Sequence, residues 1–162
     1  MKLTFKCLTE GSLLPEFAHA GDAGMDLVSD KDIQWMPIFA VHQGEFQIIV
    51  GYKAIVTTGL AIQLPRGHEG MVRSRSGLAY NDNIFVLNSP GCIDETYRGE
   101  IKVILMCIGE LPKKFKNGIP KGTKVAQLIV NKVENKLEIE ASDKLDETDR
   151  GEGGFGSTGL TK

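Results

Sequence analysis

Cysteine and histidine are scarce in this chain and long apolar runs are missing, and each shortage removes a class of protein. Cys7, Cys92 and Cys107 are the whole thiol complement. They are odd in number and show no C-x-x-C spacing, which argues against a disulfide framework and against a zinc site. Three reduced thiols are expected, some of them filling the core. His19, His42 and His68 are scattered, and "HEGMV" at His68 lacks the second histidine that a zinc-protease helix needs four residues on. A metal site built from protein side chains is therefore not expected. No apolar run approaches the roughly 20 residues that span a bilayer. "MKLTFKCLTEG" has neither the apolar stretch nor the small-residue cleavage site of a secretory leader, so a cytoplasmic protein with no membrane partner is expected. A formal net charge of −2 offers no broad footprint for nucleic acid.

Amphipathic helices of ordinary length are also missing. Short β-branched runs stand in their place: "QIIV" (47–50), "AIVTT" (54–58), "LAIQL" (60–64), "IFVL" (84–87), "IKVILMCI" (101–108) and "VAQLIV" (125–130). "PRGHEG", "NDN", "SPG" and "KNGIPKG" separate them and favour tight turns. The one helical candidate is "SGLAY" (76–80), with Ser76 placed to cap it. This pattern predicts a single all-β domain, a barrel or jelly-roll-like sandwich with one short helix, over residues 1–140. From 141 to 162 the chain turns charged and glycine-rich, with Leu145 and Phe155 as its large apolar side chains before the last few residues. By composition it reads as a flexible C-terminal arm.

Three stretches carry chemistry. Gly151, Gly153 and Gly156 spell G-x-G-x-x-G, but too few residues follow to complete a βαβ dinucleotide unit. An aromatic flanked by glycines in such an arm suggests a segment that orders over a ligand. In "GCIDETYRGEIKV" (91–103), Asp94 sits between a Ser-Pro-Gly turn and Arg98-Gly99. It is either an ordinary turn aspartate or a carboxylate held to take a proton from water. In "VRSRSGLA" (72–79), Arg73, Arg75, Ser76 and Gly77 meet at a helix start. They form either a solvated basic loop or the donor set that a polyphosphate requires.

Taken together and in order, these segments resemble the trimeric deoxyuridine triphosphate nucleotidohydrolase (dUTPase) family over nearly the whole chain. "AGDAGMDLVSD" (20–30) is similar to its first motif, "RSRSGLA" to the second and "NSPGCIDETYRGE" (88–100) to the third. "KGTKVAQLIV" (121–130) matches the fourth and "RGEGGFGSTG" (150–159) the fifth. The resemblance implies a dUTPase-like β-clip fold and a homotrimer with shared active sites. It also implies hydrolysis of dUTP to dUMP and pyrophosphate by attack of water on the α-phosphorus.

The same resemblance implies a role for each matching residue. Asp94 is the general base. Asn88 and the backbone of Gly91, Cys92 and Ile93 read the uracil, Tyr97 packs under the deoxyribose, and Phe155 stacks on the base. Arg75, Ser76, Gly77, Gln127, Arg150, Gly156, Ser157 and Thr158 hold the phosphates. Mg²⁺ is the implied cofactor, held mainly by phosphates and waters, with Asp26 reaching it through a water.

The chain also departs from the family's compact bacterial pattern. "KDIQWMPIFAVHQGEF" (31–46) reads as an insertion, so that Trp35, Met36, Ile38 and Phe39 either pad the barrel or form a patch for a protein partner. Padding is the favoured expectation. "KKFKNGIPKG" (113–122) reads as a solvated hairpin end. Two other functions compete. A dCTP deaminase shares the fold but carries a glutamate where Ile104 stands and a tryptophan where Tyr97 stands. A nucleotide-binding regulator of the same fold, as some phage members are, would use the nucleotide as a signal.

Overall fold

The computed structural model describes residues 2–42 and 46–154. Its elements, in chain order, are β1 (Thr4–Cys7), β2 (Met25–Val28), β3 (Met36–His42), β4 (Phe46–Gln63), β5 (His68–Arg73), α1 (Ser76–Asp82), β6 (Ile84–Val86), β7 (Gly91–Ile93), β8 (Glu100–Ile108) and β9 (Lys124–Lys132). All pairings are antiparallel. One sheet runs β1-β4-β8-β6 with β3 also on β4, and the other runs β2-β9-β5-β7. The all-β expectation holds, with α1 as the one α-helix among the described residues.

The core lies between the sheets and follows from period-two alternation. Along β8, Ile101, Val103, Leu105 and Cys107 are buried, while Lys102, Ile104, Met106 and Ile108 face the other way. Leu27, Val56, Ile62, Ala126 and Leu128 complete the apolar interior from β2, β4 and β9. Cys107 is thus a core filler, as expected, and burial pushes its thiol pKa up. Cys7 and Cys92 are exposed and free.

Three local expectations are corrected. "QIIV", "AIVTT" and "LAIQL" (to Gln63) belong to one strand, β4, and Gly59, which separates the last two runs, sits in a bulge inside it. Gly59 takes φ +66°, where an L side chain would be strained. The register with β8 jumps there from Thr57↔Lys102 to Ala61↔Glu100. The bulge persists because its polar groups are satisfied. Thr58 Oγ1 donates to the Ile101 carbonyl at 2.8 Å, and the Gly59 N–H donates to Glu100 Oε1 at 2.9 Å. Beyond it the strand pairs with β1.

Next, Arg75 is the N-cap of α1 with no side-chain cap bond, so Ser76 is its first residue rather than its cap. Buried Leu78 ties the helix to the core, and Asn83 ends it in the left-handed region at φ 53°. Last, the 113–122 stretch is not merely solvated. Phe115 and Ile119 are buried, Ile119 bridges to Ile33, and Lys114 Nζ reaches the buried Asp82 Oδ2 at 2.7 Å.

Within the 31–46 segment, Met36–His42 form β3, which pairs with β4. Trp35 packs on the core, whereas Met36 and Phe39 are 44% and 52% exposed, so padding accounts for only part of it. Residues 133–154 contain no helix or strand, and 134–152 are exposed throughout.

Candidate active site

Two groups of functional side chains form along β5, one around Arg73 and the residues after it and the other on β7 and its turn. The first is a cradle of cations around one carboxylate. Register brings Gln127 of β9 opposite both Asp26 of β2 and Arg73 of β5. Asp26 is buried, at 8% exposure, in a strand that would ordinarily bury an apolar residue there. Two cations compensate it: Lys124 Nζ stands 2.8 Å from Oδ2 and Arg75 Nε 3.2 Å from Oδ1. Arg75 is further fixed by donating from Nη1 to the Lys124 carbonyl at 3.1 Å. The Arg75 contact is an ion pair without hydrogen-bond alignment, so buried Oδ1 keeps an unshared lone pair. Two cations against one carboxylate leave the cluster net positive. Ser76 and Gly77 follow at the start of α1, and a Cβ built on Gly77 would meet no atom within 4 Å, so the approach to its backbone is open.

The second group is the turn after β7. Strand β7 is held by β5 through Val72↔Gly91, Met71↔Cys92 and Gly70↔Ile93. A Cβ on Gly91 would come within 3.2 Å of Asn88 Nδ2 and 3.4 Å of Val72 Cβ, so glycine lets Asn88 close on the hairpin. The turn is built by the Tyr97 N–H on the Asp94 carbonyl at 3.0 Å and by Arg98 Nη1 on the Glu95 and Tyr97 carbonyls. Asp94 is exposed, and among the described residues its carboxylate accepts no hydrogen bond and pairs with no cation. With Cys92, Ile93, Tyr97, Ile101 and Lys102 it lines a cavity of about 160 Å³. Cys92 Sγ lies 3.1 Å from Glu69 Oε2, and this hydrogen bond, with burial and the Glu69 and Asp94 charges behind it, raises the thiol pKa.

The structure brings Asp26, Arg75, Ser76, Gly77 and Gln127 into one group and Asn88, Gly91, Cys92, Ile93, Asp94 and Tyr97 into another. Asn88 and Gly91 lie at Val72, next to Arg73, but Asp94 stands further along β5. Asp94 follows the residue paired with Gly70, beside Glu69, whereas the cradle begins at Arg73. Four residues of extended strand are about 13 Å. Arg150 belongs to neither group: its Nε donates to the Gly153 carbonyl at 2.9 Å in the exposed C-terminal stretch. Phe155, Gly156, Ser157 and Thr158 lie outside the described residues. Sequence reasoning missed Lys124, although it stands inside the quoted "KGTKVAQLIV"; a cation three residues before Gln127 was the available signal.

No set of three His, Cys, Asp or Glu side chains among the described residues is arranged to hold a metal ion. Asp26, with its buried and unshared Oδ1, nonetheless suits a water-mediated contact to a cation carried by phosphates.

Two antiparallel sheets that carry a cationic cradle and an acidic, tyrosine-flanked hairpin on their connections fit the class of all-β proteins that handle phosphate-bearing ligands. The comparisons narrow this to one family. A family model described as dUTPase matches residues 12–159. The chain is 43% identical to the deoxyuridine 5′-triphosphate nucleotidohydrolase of Clostridium kluyveri, over 98% of this chain and 99% of that one. It is 44% identical to the protein of that name from Gloeothece citriformis, over 99% of each. In fold it is similar to the dUTPase of Staphylococcus bacteriophage 80alpha, a G164S mutant solved with dUpNHpp, at TM-score 0.78 and 23% identity over 98% and 99% of the two chains. The chain belongs to the dUTPase family.

Proposed function

We propose that the protein hydrolyses dUTP to dUMP and pyrophosphate, which limits uracil incorporation into DNA and supplies dUMP for thymidylate synthesis. The observation that carries the mechanism is Asp94, an exposed and uncommitted carboxylate at the lip of a small cavity. Asp94 takes a proton from the water that attacks the α-phosphorus. Asn88 and the backbone of Gly91, Cys92 and Ile93 hydrogen-bond the uracil edge. Tyr97 lies against the deoxyribose and excludes a 2′-hydroxyl. Arg75, Ser76, Gly77 and Gln127 hold the phosphates, and Lys124 joins them. Asp26 orients both cations, so that they meet the anion in fixed positions and need little reorganisation. Mg²⁺, when bound, neutralises the triphosphate, and Asp26 Oδ1 would reach it through a water. Arg150, Phe155, Gly156, Ser157 and Thr158, on the 141–162 arm, close over the nucleotide and exclude water.

The separation of Asp94 from the cradle supports an active site assembled between copies, in a homotrimer with three shared sites. A base must come within hydrogen-bond reach of the attacking water, and about 13 Å along one strand is too far. The outward face of β4 and β8 agrees: Ile55 and Ile108 are 51% and 54% exposed, with Ile104 and Met106 on the same face. A protein partner, if one accompanies catalysis, would meet Met36 and Phe39 of the 31–46 segment. No described helix is long and apolar enough to cross a membrane, and three free cysteines suit a reducing cytoplasm.

Incubation with Mg²⁺ and dUTP, dCTP, dTTP or UTP tests the reading, with pyrophosphate and ammonia both measured. Discrimination against dCTP of about 10⁴ in kcat/KM is expected, because a site that hydrogen-bonds one base edge leaves buried groups unpaired with another. Comparable rates on dUTP and dCTP, or release of ammonia, would refute it.

A further inference from the structure

Glu100 opens β8 and lines the same cavity as Asp94 and Tyr97. Its side chain is only 21% exposed, and its nearest cation, Lys102 Nζ, is 3.9 Å away and itself largely solvated. An ion pair so loose contributes little. The well-made contact of this carboxylate is instead with backbone: Oε1 accepts the N–H of Gly59 at 2.9 Å. That N–H sits in the bulge of β4, where the ladder to β8 is interrupted and no carbonyl of β8 serves it.

The bulge is itself anchored. The Gly59 carbonyl accepts the Leu8 N–H at 2.7 Å and the Ser12 hydroxyl at 2.5 Å, while Thr9 and Thr57 both donate to the buried Asp30. Glu100 is therefore tied to a fixed point in the frame. On its other side the Glu100 carbonyl accepts the Tyr97 hydroxyl at 3.0 Å. The ring of Tyr97 folds so closely over Gly99 that a Cβ there would lie 2.5 Å from the hydroxyl oxygen. Gly99 thus supports the ring and Glu100 holds its tip. Any rotation of the Glu100 peptide moves that tip.

We propose that Glu100 is a positioning residue for sugar selection: by clamping its own peptide to the Gly59 bulge it sets the position of Tyr97, and so the room left beside the 2′ carbon. This rests on the reading of Tyr97 as the deoxyribose contact. The clamp acts on selectivity more than on turnover, because Asp94 follows β7, which is held by β5 and not by β8.

The test compares E100D, E100Q, E100A and Y97A on dUTP and UTP, with thermal midpoints recorded. Glu100→Asp keeps the charge but is one methylene too short to reach Gly59, while Glu100→Gln keeps the acceptor oxygen. In E100D and E100A the UTP-to-dUTP ratio of kcat/KM should rise roughly tenfold, the equivalent of one hydrogen bond. The kcat on dUTP should stay within about twofold of native, and E100Q should retain the native ratio. Should E100A fail to fold, E100D and E100Q decide the matter. A native ratio in E100D beside a raised ratio in Y97A overturns the role of Glu100 and leaves the Tyr97 reading standing. A native ratio in Y97A overturns that reading, and the proposal with it. Equal loss on both substrates in E100D, or E100Q behaving as E100D, also overturns the proposal.

Discussion

Two inactive variants of this protein should restore activity to one another when their chains are mixed. Asp94→Asn removes the proton acceptor, and Arg75→Ala removes a cation that is held by Asp26 and by the Lys124 carbonyl. Each variant alone should be nearly silent, with kcat reduced at least 10²-fold. Asp94 stands beside Glu69 while the cradle begins at Arg73, about 13 Å further along β5, and on the shared-site proposal one chain supplies the base to a site and another supplies the cations. A working site in the mixture needs an Arg75→Ala chain in the hairpin role next to an Asp94→Asn chain in the cradle role. At equal mixing each role is filled correctly half the time, so about one quarter of sites should be intact. Activity plotted against mixing ratio should be a parabola peaking at equal parts. The chains are unfolded together in urea, refolded, and assayed for pyrophosphate release from dUTP, with distinct tags to show that mixed assemblies form. Were each site to lie within one chain, every site in the mixture would carry a lesion. No recovery above the pure variants, while the two tags copurify, would refute the shared site.

Asp94→Asn alone should bind a non-hydrolysable dUTP analogue within a few-fold of native affinity by calorimetry while losing turnover, since an amide cannot take the water's proton. Removal of residues 150–162 should leave the thermal midpoint nearly unchanged, because 150–152 are exposed and 133–154 contain no helix or strand, and should lower kcat/KM by orders of magnitude. Gly59→Ala should cost about 2–4 kcal/mol in urea denaturation, from left-handed strain plus displaced partners; its Cβ would lie 2.4 Å from Ser12 Oγ and 2.5 Å from Thr9 Oγ1. Gly67→Ala, also at positive φ but with nothing within 4 Å, should cost only the strain, about 1–2 kcal/mol, and equal costs would refute the packing argument. Glu69→Gln should speed alkylation of Cys92 at pH 8, read by peptide mass, because the carboxylate that holds the thiol protonated is gone and more thiolate is present.

What could be read from the sequence was whatever is local. The β-branched runs and the turn clusters between them marked most strands and their ends. In "IKVILMCI", by contrast, the outward Ile104, Met106 and Ile108 are as apolar as the buried side, and residue type does not separate the faces. The junction at Thr58-Gly59 was not legible, because the group that makes a bulge tolerable there is a carboxylate 41 positions later. Ser76 has the chemistry of a cap, yet the helix starts one residue earlier, and Ser74 instead accepts the Val86 N–H. The lysines of 113–122 concealed two apolar anchors, Phe115 and Ile119, whose partners lie on other segments. At the site, residue types pointed to phosphate and to a base, and resemblance assigned the roles. That Asp94 and Arg75 stand apart within one chain is a fact of register, set by which residues of β5 face β7 and β9.

Strand β4 answers to three neighbours: β3 along its first part, β8 in the middle and β1 at its end. A single deletion between the Gly51↔Ile108 and Thr57↔Lys102 pairs would turn Ala54 and Val56 outward and Ile55 inward. It would also carry the Gly59 bulge away from the carboxylate that serves it. Length changes accumulated over evolution should therefore avoid 51–63, even where substitutions on its outward face are freely accepted. Among relatives of this chain, that stretch should align without gaps, and an engineer adding a peptide tag or a fused domain should cut the chain elsewhere.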